Sequence, residues 1–379
     1  MIKLVLLYWG CVGLMYLSAQ YHPTPALPDN THHFLTRKGD LFLTLAITWM
    51  TCFSFLRTNY NDTANYIHMW TTAPSIGDFL KSGALLDWTD NPLSELWKSI
   101  AHDISDSYHV YFLLPAFLSS YAMVKLLKRY SVDPVLGILL FFSVGTYVMF
   151  VAAMKQSIAI AILIYALPYA IDRKYGRFYL LVFVAMLFHT HAFIFLPLPF
   201  FFGKPWGKVT WSLLTLVLLS MVTYDQTYGA FMNFAQSIGA NVVDFEVFDG
   251  HSIHPLRVVI YAIPALLTLI YRDRLFRDST REENLFANMS IVAAFILSVG
   301  LVQGANLFAR MATYYEIAFG ITLPWIIRKL FNRRSAGLVA TIAGILYFAY
   351  FLYEFGVSKG FDGEYRSITI WQFVVELFS

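Results

Sequence analysis

The sequence predicts an all-α polytopic membrane protein, and three observations lead there. Of 379 residues, 58% are apolar and only 13% charged, about half the charged share of a soluble domain; the mean hydropathy is +0.57. Apolar stretches long enough to cross a bilayer recur along the chain, where a barrel would show short segments of alternating polarity. Lys and Arg gather in a few connections between those stretches, as they do between membrane spans. Two cysteines, Cys11 and Cys52, both in apolar stretches, give no disulfide framework. A net charge of +3 without a basic run interleaved with aromatics argues against nucleic acid as a partner.

Candidate spans run over 2–19, 40–56, 108–127, 134–153, 157–171, 178–202, 209–224, 255–271, 285–303, 311–327 and 336–355. The first has Lys3 before its apolar run and Ser18–Ala19 at its end, so it reads as a retained span or as a cleaved signal sequence. Connections 36–40, 125–130, 172–177, 203–208, 271–281 and 328–334 hold eighteen of the twenty-seven basic residues, which marks them as cytoplasmic. The long connections 57–107 and 225–254 hold three (Arg57, Lys81 and Lys98) against eleven acids, so they and the tail 356–379 are expected outside.

This assignment contains a conflict. DRKYGR (172–177) and GKPWGK (203–208) both read as cytoplasmic, yet one apolar stretch joins them. A single crossing would invert everything after it. The polar HTH at 189–191 and the prolines at 197 and 199 suggest instead two half-helices near 178–202 that meet in the outer half of the membrane and return. Non-helical backbone at that depth must be enclosed by protein or line a water-filled cavity, and a cavity open to the outside is expected. The count becomes about eleven to twelve transmembrane elements including the split one. No repeat or low-complexity linker divides the chain, so residues 1–379 read as a single membrane domain. Within the loop 57–107, IGDFLKSGALL and LSELWKSIAHDI read as amphipathic helices along the interface, anchored by Trp70, Trp88 and Trp97.

Under this topology several polar residues share the outer mouth of the bundle. Arg57 and Asp62 follow the second span, Lys155 and Gln156 lie at an outer junction, His189 and His191 sit at the apex of the split element, and Arg310 with Tyr314 opens a late span. Charged groups in a membrane usually face a cavity or a partner. Three cations and two histidines with one carboxylate point to an anionic ligand; Arg suits phosphate through its fork, Lys as a point charge. Each has a plainer reading: Arg57 and Lys155 snorkelling to headgroups, Arg57 paired with Asp62, the histidines as packing hydrogen-bonders, the tyrosines as interface anchors. HTH is no metal-ligand pattern, and there is no Walker loop, dinucleotide glycine pattern or GxSxG elbow.

At these residues the chain resembles the EpsG-like members of the Wzy-type polysaccharide polymerases. The resemblance rests on Arg57, Asp62 and Tyr66 after an early span, then Lys155, Gln156 and Ala159. Ala185, His189 and Ala192 follow a basic loop, and Phe308, Arg310 and Tyr314 complete the set. The chain departs from that pattern with Lys155 in place of Arg, His191 in place of Ser, and Asn61 in place of Gly. The resemblance implies a GT-C-like bundle and glycosyl transfer at the outer (periplasmic) face of the bacterial inner membrane. The donor would be a glycan on polyprenyl pyrophosphate, the acceptor a lipid-linked repeat unit with a free hydroxyl. Arg310 would hold the pyrophosphate with Lys155 and Arg57, while Gln156, His191, Tyr314 and Tyr66 complete the binding set. His189 is the first choice of general base and Asp62 the second. Enough cationic charge is present for the reaction to run without a metal or other cofactor, and a flippase and a chain-length regulator are implied as neighbours.

Rival readings are an O-antigen-type ligase or a polyprenyl-phosphate-sugar transferase on the same carrier. A lipid-linked glycan flippase or exporter would need a polar path through both leaflets. A membrane O-acyltransferase would place its histidine near an inner cofactor entrance.

Overall fold

The computed structural model describes residues 1–21, 40–87, 90–237, 251–358 and 360–378. Trp88, most of the basic connection 36–40 and the middle of the loop 225–254 lie outside the described residues. The chain is an all-α polytopic membrane protein. Helices α1 (Ile2–Tyr21) and α2 (Leu41–Phe55) lead to a short strand, β1 (Arg57–Asn59). The following connection carries α3 (Thr63–Thr71), α4 (Ile76–Lys81) and α5 (Pro92–Ile104). Next come α6 (His109–Tyr130), α7 (Pro134–Ser143), α8 (Thr146–Ala152), α9 (Met154–Ile171) and α10 (Tyr175–Phe188), then 3₁₀ turns at Thr190–Phe195 and Leu198–Phe202. The second half holds α11 (Lys208–Val222), α12 (Tyr224–Ser237), α13 (Pro255–Ile270), α14 (Arg272–Leu275), α15 (Arg281–Val299), α16 (Ala305–Glu316), α17 (Phe319–Leu330) and α18 (Arg333–Leu352). The chain closes with α19 (Phe361–Glu364), β2 (Arg366–Ser367) and α20 (Ile370–Phe378).

Helix starts follow the sequence. Asp40 and Asp133 accept from the third residue of α2 and α7, and Thr280 with Glu283 forms a capping box on α15. Without water between helices, association rests on packing and interhelical hydrogen bonds. Tyr8 meets Ser143 at 2.8 Å, Tyr147 donates to the Met50 carbonyl at 2.7 Å, and Ser290 donates to Thr322 at 2.9 Å. Helix α1 buries Leu4, Leu7, Tyr8, Cys11 and Met15 against α2 and α7.

Among the described residues five helices are long and apolar enough to cross a bilayer, and a bent pair makes a sixth. The other apolar helices are shorter. The expected span 134–153 is two helices bent by 54° at Val144–Gly145. Gly145 has φ +86°, and a Cβ there would come 2.7 Å from the Phe355 ring. The expected span 311–327 begins earlier, at Ala305, and breaks at Ile317–Ala318. A 15-residue helix such as α2 rises about 22 Å, less than the roughly 30 Å hydrocarbon core, so these elements cross only together with their flanking residues.

Hydrogen bonds sort the connections into two ends. At one end, Arg281 donates to the Tyr175 hydroxyl at 2.9 Å and lies 3.7 Å over the Phe202 ring, and Lys204 reaches the Arg277 carbonyl. Arg274 there bonds the Leu330 carbonyl at 2.9 Å. This basic end thus holds both Tyr175, where α10 starts, and Phe202–Lys204, where the 3₁₀ turns finish, as the re-entrant reading of 178–202 expects. At the other end, β1 pairs with β2, Lys3 reaches Ser367 at 3.1 Å, and Ser107 reaches Glu376 at 3.2 Å. There, too, the Ala305 amide donates to the His251 carbonyl at 2.9 Å.

Candidate functional site

The polar residues that the sequence singles out meet at the end opposite the basic connections. Gly304, at φ +71°, turns the chain into α16, where a Cβ would approach the Tyr224 hydroxyl to 2.6 Å. Arg310 follows two turns later. Its Nη2 lies 3.1 Å from Asp62 Oδ2, and its Nε donates to Asn306 Oδ1 at 3.1 Å, one helical turn back. The Arg310 carbonyl accepts from Gln156 Nε2 at 2.6 Å, which ties α16 to the first turn of α9. The side chains of Arg310 and Asp62 keep 20% and 30% exposure, so solvent reaches the pair.

Arg57 is placed differently. It is completely buried, donates through Nη1 to the Ser54 carbonyl at 2.6 Å and through Nε to Thr63 Oγ1 at 3.0 Å, and lies 4.3 Å over the Phe112 ring. The alternative pairing of Arg57 with Asp62 is therefore corrected. Asp62 turns to Arg310, and Arg57 braces the end of α2 against the start of α3. The same helix α3 carries Tyr66, which is buried within electrostatic reach of Asp62, Arg310 and Arg57 and is hydrogen-bonded to the Met154 backbone.

Lys155 does not snorkel. Its Nζ lies 2.8 Å from Glu95 Oε1, and Lys98 takes the other oxygen of the same carboxylate. Burial alone would raise the Glu95 carboxyl, but Lys155 and Lys98 outweigh it and hold the group below its usual range, ionised at neutral pH.

His189 caps the end of α10 with extended backbone, and the 3₁₀ turn begins at the next residue. Its Nδ1 lies 3.1 Å from the Tyr314 hydroxyl and 3.3 Å from His191 Nδ1. Two imidazoles facing through one nitrogen each require one donor and one acceptor, so this contact holds at most one proton between them. Tyr314 stands four residues after Arg310, on the same face of α16. The apex is held by Asn91, whose Oδ1 accepts from the Thr190 amide at 2.9 Å and its hydroxyl at 3.2 Å. The Tyr315 hydroxyl donates to the Ile194 carbonyl just beyond. Among the described residues no three His, Cys, Asp or Glu side chains converge as a metal site would require.

Asp62, Gln156 and Arg310 thus form one contact set beside Tyr66, and His189, His191 and Tyr314 a second, the two joined through the Arg310–Tyr314 face of α16. Lys155 joins through its neighbour Gln156, and Arg57 stands behind α3. Sequence reasoning missed Asn91, Glu95 and Asn306. The only signal for the first two was that Asn91-Pro92 opens an amphipathic helix with an acid in its first turn, and that pattern is shared by ordinary surface helices.

No curated protein and no solved structure matches this chain. The model of the EpsG family matches residues 40–368, from the start of α2 to the strand that pairs with Arg57–Asn59. It includes every residue of the cluster just described, and on that match the chain belongs to the EpsG family.

Proposed function

We propose that the protein is a glycosyltransferase that polymerises oligosaccharide repeat units carried on polyprenyl pyrophosphate, at the outer face of the bacterial inner membrane. The family supports a polysaccharide polymerase in general terms. The observation that carries the specific reading is the meeting of Arg310, the Lys155–Gln156 turn and the His189–Tyr314 pair at the end opposite the basic connections.

In the proposed reaction the acceptor hydroxyl oxygen attacks the anomeric carbon of the donor. The bond from that carbon to the pyrophosphate oxygen breaks, and its electron pair leaves with the polyprenyl pyrophosphate. Arg310 stabilises the departing anion, which a fixed cation in a poorly hydrated site does well. Only part of its five-donor fork is engaged by Asp62 and Asn306, which suits bidentate capture of phosphate. His189 takes the acceptor proton, with Tyr314 orienting the ring through Nδ1; Asp62, already bound to Arg310, is the second choice. Arg and Lys supply the positive charge, so no metal is invoked. A flippase that delivers the repeat unit and a chain-length regulator are the proposed neighbours.

The test uses purified protein in nanodiscs, lipid-linked repeat units extracted from the host, and a chelator. A ladder of glycan lengths on a gel is expected. A single unchanged band with inserted, monodisperse protein overturns the reading. The orientation is tested separately in whole cells, where an impermeant thiol reagent should label Thr72→Cys and spare Arg334→Cys.

A further inference from the structure

Lys98 and Lys155 belong to different elements, α5 and α9, yet both direct their ammonium groups at one carboxylate. Lys98 is buried, with 7% of its surface exposed, and the Glu95 and Lys155 side chains keep 15% each. The positive charge of the two lysines meets Glu95 at contact distance in a place with little water, and Asp90 is a second carboxylate within electrostatic reach of both. Gln156 ties the same turn of α9 to the Arg310 carbonyl, so this charge borders the Arg310 site. Glu95 offers its two oxygens to two separate ammonium groups, as two oxygens of a phosphate would. Lysine binds phosphate as a point charge and needs no planar partner, so exchanging one anion for the other requires only rotation of the Glu95 side chain.

We propose that Glu95 is an internal surrogate for phosphate, and that in the ligand-bound protein a phosphate group of the substrate takes its place between Lys98 and Lys155. The inference rests on the reading of the Arg310 site as a pyrophosphate site and adds Lys98 to it. Glu95 then sets affinity by competition. It shields two lysines from idle anions and yields only to a ligand that Arg310 also holds.

The test is calorimetric titration of inorganic pyrophosphate into wild-type protein, Glu95→Gln, Lys98→Met and the triple variant Glu95→Gln/Lys98→Met/Lys155→Met, all in nanodiscs. Removing the competitor should tighten binding at least tenfold in Glu95→Gln. Lys98→Met should weaken it at least tenfold, and the triple variant should lose the gain, because the two effects act on one site. Binding in Glu95→Gln equal to or weaker than wild type overturns the proposal. Glu95→Gln leaves two lysines facing one another; if it fails to fold, Lys98→Met decides, and an unchanged affinity there is equally fatal. Farnesyl pyrophosphate binding more tightly than pyrophosphate assigns the site to the lipid carrier, and the reverse order to the released anion, with the same Glu95→Gln gain expected for both. The polymerisation ladder is a separate readout. Tightening in Glu95→Gln with no ladder from any protein supports the exchange and overturns the polymerase reading, and a ladder with no tightening does the opposite.

Discussion

Arg57 and Arg310 are both arginines of the same end of the bundle, and they are used in opposite ways. Arg57 has no exposed surface; backbone, a threonine and an aromatic face surround its guanidinium. Arg310 is hydrogen-bonded directly to a carboxylate, in a pair that solvent reaches. The first arrangement ties the end of α2 to the start of α3 in the dry interior and leaves one guanidinium nitrogen, Nη2, buried without a hydrogen bond. The second leaves the guanidinium and its carboxylate partner partly open to solvent. Charge and residue type are equal in the two places, so exposure and partner decide which arginine is open to a ligand.

Substitutions can break that contrast. Arg310→Ala should lower polymerisation per inserted molecule by about two to three orders of magnitude while leaving the melting transition close to wild type; an active variant would remove Arg310 from the leaving-group site. His189→Ala should cost about a hundredfold or more, and Tyr314→Phe less, since it removes an orienting hydrogen bond and leaves the base. Equal losses in the two would point to Tyr314 as the group that handles the proton. Arg57→Ala should act mainly on the fold, destabilising by about 2–4 kcal/mol through lost hydrogen bonds and packing, seen as earlier melting in detergent. Arg57→Lys should not restore it, because Ser54 and Thr63 are bonded by two different nitrogens of the fork.

The smallest expected effect is one of pH. Glu95 has a folded pKa held below its unfolded value, about 4.3 for a free glutamate. Its contribution to stability is therefore complete above that value and is lost as pH falls through the lowered folded one. Melting temperature followed downward from neutral pH should fall more steeply in wild type than in Glu95→Gln over that acidic window. Parallel curves would mean that the Glu95 carboxylate is no more stabilised in the folded protein than outside it.

Much of this arrangement was legible in the chain because membranes punish polarity. The HTH at 189–191 and the prolines behind it cannot lie in an unbroken apolar helix, and the basic connections on both sides require a return, so the split element is legible in the chain itself. Arg310 stood out for the same reason. The fate of Arg57 was not legible, because Phe112 and Thr63 look like any aromatic and any threonine until the fold brings them to the guanidinium. The break at Val144–Gly145 hid inside an apolar run whose composition alone is that of one continuous span. Glu95 and Asn91 escaped because an amphipathic helix on a membrane surface reads alike whether its polar face meets water or a lysine from another span.

The measurement that tests the account most directly is arginine labelling by phenylglyoxal, read residue by residue by mass spectrometry, with and without pyrophosphate. The account predicts that Arg310 is modified in the free protein and protected by pyrophosphate, and that Arg57 is silent in both samples. Arg57 labelled and protected, with Arg310 indifferent to the anion, would contradict it.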